Sequence, residues 1–335
     1  MAPRTVGVEE ELLLVDPANP SGEPELGRAA GSTPPYARVA AVRATSLDKD
    51  LFQHQLETRT EPTADLASLR EQLVAARDTG GRAGPRPGLA AVAVATVPLA
   101  TTCDSRPTTA TRTWSCATPR SRVTPAPAAC TSTWRSRANE EGVAVIDRIG
   151  PWLPALRAVS ANSPYADGRD TGYASWRSQL WSHWPSAGPT EAFWSLAAYR
   201  QLCRELMEFG AARDPGMLYF DARLSARQPT VEVRIFDVCT DPADAVLLAA
   251  LVRGLVEHTA RCWRSGDAPA RLAHREPARG PLACLAARVA DTLVHPVLRR
   301  LAPAARCCRR SWATSGRSSR RRRRRSGRRG HGAST

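Results

Sequence analysis

Acidic side chains alternate with apolar ones near the start of the chain, at the spacing that divides them between the two faces of a β-strand. Within residues 5–16 a period of two places Glu9 and Glu11 on one face, and Glu10 among apolar residues on the other. Neighbouring carboxylates on one face repel each other unless a cation or an arginine lies between them. The pattern fits a metal-binding face, and it also fits a strand whose acidic face is solvated.

The same alternation recurs further along the chain with arginine added to the acids. Gln55, Glu57 and Arg59 share one strand face, and Glu232 and Arg234 share another, where the intervening positions are Val or Ile. A preceding stretch repeats the rhythm with Tyr219, Asp221 and Arg223. Several strands are therefore predicted to present acids and arginines from one face of a sheet.

These residue types indicate a particular chemistry. Carboxylate oxygens suit Mg²⁺, which usually takes one or two protein carboxylates together with substrate phosphates. Arginine guanidinium groups at the same level suit phosphate oxygens, which they bind bidentately. The combination predicts phosphoryl transfer from a magnesium nucleotide, with electrostatic stabilisation as the main catalytic effect. The sequence contains no Walker A motif, which excludes a P-loop enzyme.

The elements that must position these residues form runs of strands and runs of helices. Strands are predicted over residues 5–16, 50–60, 89–99, 217–224 and 230–237. Helices are predicted over 65–77, over 142–161 with a break at Pro151, over 191–210, and from Asp241 onward; 163–189 is an aromatic, glycine-rich loop. This order predicts an α+β fold with an antiparallel or mixed sheet.

The net charge of +15 is confined to two segments. Residues 306–335 contain 12 Arg and no acid, and residues 101–138 contain six Arg and one Asp, so the rest of the chain is mildly acidic. The longest apolar run is too short to cross a bilayer, and the nine cysteines form no Cys-x-x-Cys pair. We therefore expect a soluble cytoplasmic protein with reduced thiols and no membrane partner.

Residues 101–138 have the composition of neither a strand nor a helix. They contain no Leu, Ile, Phe, Met or Tyr, so we expect no element with a buried face there. One interpretation is a disordered or surface insertion. The other is a shifted reading frame in a GC-rich gene, because a GC-rich back-translation of Ala129-Cys130-Thr131-Ser132-Thr133-Trp134, read two bases later, gives Leu-His-Val-His-Val.

The arginine-rich tail has the same two interpretations. As a functional arm, residues 306–335 would bind nucleic acid non-specifically and in a salt-dependent way. As a second shifted segment, the tail would carry no function. No aromatic residues are interleaved with the Arg run at 320–325, which favours the shifted-frame interpretation.

Four motifs in order then resemble the bacterial glutamate–cysteine ligase type 2 family, also called carboxylate–amine ligases. They are Thr-Val-Gly-Val-Glu-Glu-Glu-Leu-Leu-Leu-Val-Asp, Gln-Leu-Glu-Thr-Arg-Thr-Glu-Pro, Gly-Tyr-Ala-Ser-Trp-Arg and Pro-Thr-Val-Glu-Val-Arg-Ile-Phe-Asp-Val. The resemblance covers 5–99 and 141–300, and it implies a glutamine synthetase-like funnel of curved, mainly antiparallel sheet flanked by helices. It implies one catalytic domain over 1–300, interrupted at 101–138, followed by the tail at 301–335.

The resemblance also implies a reaction and a set of site residues. ATP would activate the γ-carboxylate of glutamate as an acyl phosphate, which the amine of cysteine attacks. The implied Mg²⁺ ligands are Glu9, Glu11, Glu57 and Glu232. Arg234 would contact the nucleotide phosphates, and the residues implied to hold amino-acid carboxylates or shape the pocket are Arg59, Tyr173, Trp176 and Arg177. Arg234 and Arg177 are the expected catalytic residues, while Arg223 either binds nucleotide or substrate or forms a structural ion pair.

This chain departs from the family at one motif. The family has a strand of the type Gly-x-His-Val-His-Val, with both histidines at the nucleotide and metal site, where this chain has 128–134. We therefore expect the chain as written to lack a sheet strand through its site, to fold poorly and to have weak or no activity. Three functions remain open: a glutamate–cysteine ligase, a nucleic-acid-binding protein acting through its tail, and an inactive frame-shifted product.

Overall fold

The computed structural model describes residues 3–15, 46–49, 55–82, 90–98, 128–226, 228–268, 292–294 and 301–303. Its helices are α1 (Leu66–Arg82), α2 (Asn139–Ile149), α3 (Leu153–Ser160), α4 (Trp176–Trp181), α5 (Leu196–Glu208) and α6 (Pro242–Arg264), with 3-10 turns at Gly150–Trp152 and Pro215–Met217. Its strands are β1 (Val6–Val15), β2 (Ser46–Lys49), β3 (Gln55–Arg59), β4 (Ala90–Val92), β5 (Ala129–Arg135), β6 (Tyr165–Ala166), β7 (Arg169–Asp170), β8 (Ala222–Leu224), β9 (Thr230–Asp237), β10 (Thr292–Val294) and β11 (Leu301–Pro303).

One sheet of seven strands organises the described part of the chain. Its order is β2-β3-β1-β5-β9-β8, and β4 also pairs with β1 beyond the end of β5. Every pairing in it is antiparallel. The prediction of an α+β fold with a mainly antiparallel sheet and flanking helices is confirmed.

Helices cover one face of this sheet because alternate strand residues are apolar. The main core joins inward residues of β1, β5 and β9 to α1, α2, α3 and α6; examples are Val8, Trp134, Val233, Leu73, Ile146 and Leu248. The opposite face carries the alternating acids and arginines, which range from the exposed Arg59 to the buried Arg223. The period of two therefore predicts correctly which side of β1, β3 and most of β9 faces the helices.

The strand β5 overturns two expectations. The composition of residues 101–138 predicts no element with a buried face, yet Ala129–Arg135 within this segment pairs with β1 on one side and with β9 on the other. Strand pairing uses backbone N–H and C=O groups, which any non-proline residue supplies. Cys130 and Trp134 on its inner side are buried in the core. The expectation that the chain lacks a strand through its site is therefore wrong; residues 101–127 lie outside the described residues.

Other element boundaries differ in detail from the predictions. Helix α1 continues past Arg77 through Gly80, where a Cβ atom would lie 2.9 Å from Cδ2 of Leu56, so glycine permits close packing of the helix on β3. Residues 217–221 are not strand: Met217 ends a 3-10 turn, and β8 begins at Ala222. The tail at 304–335 lies outside the described residues.

The predicted helix starts are confirmed by their caps. Asp65 Oδ2 accepts a hydrogen bond from the backbone N–H of Ser68 at 2.7 Å. Asp241 Oδ1 accepts one from Ala243 at 2.8 Å, with Pro242 as the first residue of α6. None of the helices in the described ranges is both long enough and apolar enough to cross a membrane.

Candidate active site

The acids and arginines singled out in the sequence meet on one face of the sheet, because strand register aligns them. Glu9 lies opposite Arg59 on β3 and opposite Thr131 on β5. On the far side of β5, Thr133 lies opposite Glu232. We call this the polar face of the sheet; it also includes Glu11, Glu57, Arg223 and Arg234.

On the β1–β3 side, Arg59 bridges two carboxylates. Its Nε lies 3.3 Å from Glu9 Oε1, and its Nε and Nη2 donate to Glu57 Oε1 at 2.9 and 2.8 Å. Burial raises the pKa of Glu9 above its ordinary value, and the negative charges of Glu57 and Glu232 raise it further, against the opposing effect of Arg59 and Arg234. Glu9 is thus close enough to Glu57 on one side of β5 and to Glu232 on the other for their charges to affect its pKa.

Glu11 lies one step further along β1 and reaches toward β5. Its Oε2 accepts a hydrogen bond from the backbone N–H of Ala129 at 2.7 Å. Glu11 lies directly opposite Glu57 in the register of β1 and β3. The structure therefore brings the three acids of β1 and β3 together at one end of the polar face.

On the β8–β9 side, Glu232 lies between two arginines. Its Oε2 is 2.8 Å from Arg223 Nε and 3.4 Å from Arg234 Nη1. Burial alone would raise the pKa of Glu232, but the two arginines outweigh burial and hold that pKa below its ordinary value. Arg223 also donates to the backbone carbonyls of Gly216 and Leu218, each at 2.7 Å. These contacts favour a structural ion pair over nucleotide or substrate binding for Arg223.

A cavity of about 350 Å³ opens over the edge of this face. Glu9, Arg59, Thr133 and Glu232 line it, so it joins both sides of β5. Gly7, Thr60 and Thr230 add small and hydroxyl-bearing residues to its wall. The other predicted site residues are outside the lining of this cavity: Glu11, Glu57, Tyr173, Trp176, Arg177, Arg223 and Arg234.

Arg177 and Arg234 share one aromatic ring. The guanidinium carbons of Arg177 and Arg234 lie 5.2 and 5.9 Å from the ring centre of Trp181. Arg177 is 1% exposed, and its Nη2 donates to the backbone carbonyl of Arg234 at 3.2 Å. Burial lowers the pKa of Arg177, while Asp237 and Glu11 act against that shift.

Both of these arginines retain donor capacity. The Nε atoms of Arg177 and Arg234 are buried and have no hydrogen-bond partner within the described ranges. Two like charges beside one ring repel each other, which an anionic oxygen between them would offset. The pair therefore suits a phosphate or carboxylate group of a substrate.

Tyr173 and Trp176 lie together at the start of α4, with their ring centres 5.6 Å apart. Both are partly exposed, whereas the neighbouring Arg177 is buried. The two rings therefore pack against each other at the start of α4, where Trp176 directly precedes Arg177 in the chain.

The donor set on the polar face can be tested against Mg²⁺. Four carboxylates supply hard oxygen donors, which is the chemistry that Mg²⁺ requires, and burial, together with the charges of Glu57 and Glu232, raises the pKa of Glu9. In the described part of the chain, however, no group of three or more His, Cys, Asp or Glu residues converges to hold a metal ion. Arg59 pairs with Glu9 and Glu57, and Arg223 and Arg234 pair with Glu232, so the four carboxylates fit Mg²⁺ by donor type and not by their arrangement here.

Sequence reasoning missed two features of this site. Trp181 lies four residues after Arg177 on α4, and that helical spacing was the signal that could have paired them. Thr131 and Thr133 lie on the polar face between Glu9 and Glu232, and these are the two positions where the shifted frame gives histidine. Only the register of β5 shows where those two side chains are directed.

Comparison with known proteins gives one family. The family model described as glutamate–cysteine ligase family 2 matches residues 5–327. A relative from Nocardioides sp., described as a candidate glutamate–cysteine ligase 2-1, is 48% identical over 319 residues, covering 90% of this chain and 80% of the relative. A similar candidate from Streptomyces coelicolor is 42% identical over 312 residues, covering 90% of this chain and 82% of the relative.

Solved structures show the same fold at low identity. A glutamate–cysteine ligase from Francisella tularensis, in complex with AMP, matches with a TM-score of 0.54 and 12% identity, covering 92% of this chain and 76% of that one. A bifunctional glutathione synthetase from Pasteurella multocida matches with a TM-score of 0.51 and 13% identity, and the match covers 79% of this chain and 40% of that protein. The chain therefore belongs to glutamate–cysteine ligase family 2, and its class is that of ATP-dependent ligases that form an amide bond.

Proposed function

We propose that the polar face joins the γ-carboxylate of L-glutamate to the amine of L-cysteine. The γ-phosphoryl group of ATP passes to the carboxylate, ADP leaves, and the amine then displaces phosphate from the acyl phosphate to form the amide. The observation that carries the proposal is the convergence of acids and arginines from β1, β3 and β9 on one sheet face. Charge stabilisation is the main requirement of both steps, and this face supplies it.

Each side chain then has a part in this reaction. Glu9, Glu11, Glu57 and Glu232 would hold Mg²⁺, which when bound neutralises phosphate charge. Arg234 would bind the nucleotide phosphates, and Arg177 beside it would stabilise the carboxylate under attack. Arg59, Tyr173 and Trp176 would bind or enclose the amino acids, and Arg223 would orient Glu232.

We propose further that this copy is impaired. Thr131 and Thr133 occupy the centre of the polar face, where the family has histidines for the nucleotide and metal site. A threonine hydroxyl has neither the ring nitrogens of an imidazole nor a pKa near neutral pH, so it cannot supply the same contacts. We expect the sheet to form and turnover to be weak or absent.

The free cysteines of the described residues, Cys130, Cys203, Cys239 and Cys262, support a reducing, cytoplasmic location.

Residues 1–300 are proposed to form one catalytic domain, with 301–335 outside it. A second candidate function, non-specific nucleic-acid binding through the tail, rests on the 12 Arg of residues 306–335.

The deciding experiment is isothermal titration of Mg–ATP into the purified chain and into a version whose 101–138 and 306–335 segments are restored to the alternative frame. A coupled assay of ADP release with glutamate and cysteine accompanies it. Binding and turnover only in the restored version support both the ligase function and the impairment. Equal turnover in both versions overturns the impairment, and absence of nucleotide binding in both overturns the ligase proposal.

A further inference from the structure

The carboxylate of Asp237 lies at the end of β9, and its side chain is fully buried. Here the alternation of β9 ends, because Ile235, Phe236 and Asp237 are all buried. A buried carboxylate that has no hydrogen-bonding partners is costly, so its contacts should explain its position.

Three hydrogen bonds satisfy this carboxylate, and all come from the loop that leads into α4. Oδ2 accepts from the backbone N–H of Asn162 at 2.9 Å and from Ser163 Oγ at 2.7 Å. Oδ1 accepts from Ser175 Oγ at 2.7 Å. The two oxygens therefore hold both ends of the segment 162–175.

The two serines transmit this anchoring to the active-site residues. Ser175 is the N-cap of α4, and its Oγ also accepts from the backbone N–H of Ser178 at 3.3 Å. Ser163 Oγ accepts from the backbone N–H of Arg177 at 3.2 Å, and its carbonyl accepts from Trp176 N–H at 2.9 Å. The backbone of both Trp176 and Arg177 is thus bonded to groups that Asp237 holds.

Electrostatics adds to the connection with Arg177. Burial raises the pKa of Asp237, while the positive charge of Arg177 and the three hydrogen bonds favour the ionised carboxylate. The same Arg177 guanidinium rests beside Trp181 and bonds to the carbonyl of Arg234. Asp237 therefore links the end of β9 to the loop and the start of α4, which together carry Tyr173, Trp176 and Arg177.

We propose that Asp237 is a positioning residue, whose carboxylate fixes the segment 162–178 and thereby sets the position of Trp176 and Arg177 against Arg234. This rests on the proposed function for the identity of the substrate, and on the hydrogen bonds alone for the anchoring. Asp237 touches no reacting atom in this scheme. It acts through Ser163 and Ser175.

The test compares hydrogen exchange of the purified full chain with that of Asp237→Asn. Asn cannot accept hydrogen bonds at both ends of its side chain, so amides of 162–178 should exchange at least about tenfold faster, while those of α6 keep their protection. Asp147→Asn is the matched control, because Asp147 accepts from the N–H groups of Phe193 and Trp194 in a different loop. Equal protection of 162–178 in the two variants overturns the proposal.

A variant cycle separates positioning from general loss of stability. Ser163→Ala/Ser175→Ala removes the two side-chain donors, leaves the backbone N–H of Asn162, and should reproduce the faster exchange. Adding Asp237→Asn to this double variant should then change the exchange of Trp176 and Arg177 by less than about twofold, because the serines connect Asp237 to these two residues. Additive effects in the cycle would contradict the route through the two serines.

Substrate binding provides the functional arm, measured in the frame-restored version. The dissociation constant for L-glutamate should rise at least about tenfold in Asp237→Asn, while that for Mg–ATP changes less than about threefold. Lost affinity for both ligands in equal measure would overturn positioning in favour of a stability effect. Failure of the parent to bind glutamate would count against the proposed function, and the exchange result would still decide the anchor.

Discussion

Glu10 and Arg77 form a two-point ion pair on the helix-covered face of the sheet. Arg77 Nε lies 2.9 Å from Glu10 Oε2, and Nη2 lies 2.9 Å from Oε1. Glu10 is fully buried, and the same guanidinium also donates to the carbonyls of Cys239 and Thr240. Hydrogen bonding raises the pKa of Arg77 above its ordinary value although burial acts in the opposite direction. One arginine thus joins β1, α1 and the end of β9.

Arg77→Leu should destabilise the protein by about 3–5 kcal/mol, because it leaves the Glu10 carboxylate buried without its cation. Urea unfolding at pH 7 measures the change. Arg59→Leu is the control, because Arg59 is 43% exposed and its pair with Glu57 is on the solvated side. The control should cost less than about 1 kcal/mol. Similar losses in both variants would contradict the distinction between the two pairs.

Glu9→Gln should raise the melting temperature at pH 7. The pKa of Glu9 is raised in the folded protein, so its ionisation opposes folding, and that penalty disappears as pH falls through the raised value toward the ordinary 4.5. The gain should therefore shrink with acidification. Thermal melts between pH 7 and pH 4 measure it, with Glu71→Gln on the exposed side of α1 as control. A lower melting temperature at pH 7 would show that ionisation of Glu9 does not oppose folding.

Glu232→Gln should have the opposite effect at neutral pH, although Glu232 lies on the same face. The pKa of Glu232 is lowered, so its ionised form stabilises the fold above the ordinary pKa, and that contribution is lost as pH falls through the lowered value. We expect a loss of about 3 kcal/mol at pH 7, because Arg223 and Arg234 lose their shared partner. Urea unfolding at pH 7 and pH 3 measures the loss, which should narrow at pH 3. A change independent of pH would argue against an electrostatic origin.

Thr131→His/Thr133→His should increase the affinity for Mg–ATP by about tenfold, the effect of one added charge-assisted contact. Both positions lie on the polar face between Glu9 and Glu232. Ser132→His is the matched control, because Ser132 is fully buried on the opposite side and an imidazole there should destabilise the core without improving binding. Isothermal titration gives the affinities. Unchanged affinity in the double variant would refute the assignment of these two positions to the nucleotide site.

Removal of residues 306–335 tests the second candidate function. The tail holds 12 Arg, so binding to RNA or heparin should fall steeply on its deletion and with rising salt. The affinity of the polar face for Mg–ATP should remain the same. Gel-shift and titration assays of the full and shortened chains measure these quantities. Nucleic-acid binding that persists without the tail would place it elsewhere in the molecule.

Sequence period predicts much of this site because it depends only on local geometry. Glu9, Glu11, Glu232 and Arg234 lie on the predicted face, since side chains of a strand alternate whatever its neighbours are. The buried pair of Glu10 and Arg77 was not predicted, because 67 residues separate its members.

The composition of residues 101–138 gives a wrong prediction for β5, because strand pairing and not an apolar period determines its structure. A Thr- and Ser-rich stretch has no apolar period, yet β5 is held by strands on both sides and by Trp134 in the core. The hydrogen bonds of Asp237 could not be predicted either, because its three donors come from a loop without hydrophobic periodicity. In both cases the structure depends on contacts between residues that are far apart in the sequence, which a local pattern cannot reveal.

The position of β5 between β1 and β9 separates the dimensions of the site, which backbone pairing sets, from its chemistry, which the side chains set. Its backbone keeps those two strands about 10 Å apart, twice the usual strand spacing, so Glu9 and Glu232 lie on one face of the sheet with β5 between them, at a separation fixed by main-chain bonds. A change in the side chains of β5 would leave that separation in place. Under the proposed impairment, threonines would stand where imidazole groups are expected between the two acids, and the site would keep its dimensions without that chemistry.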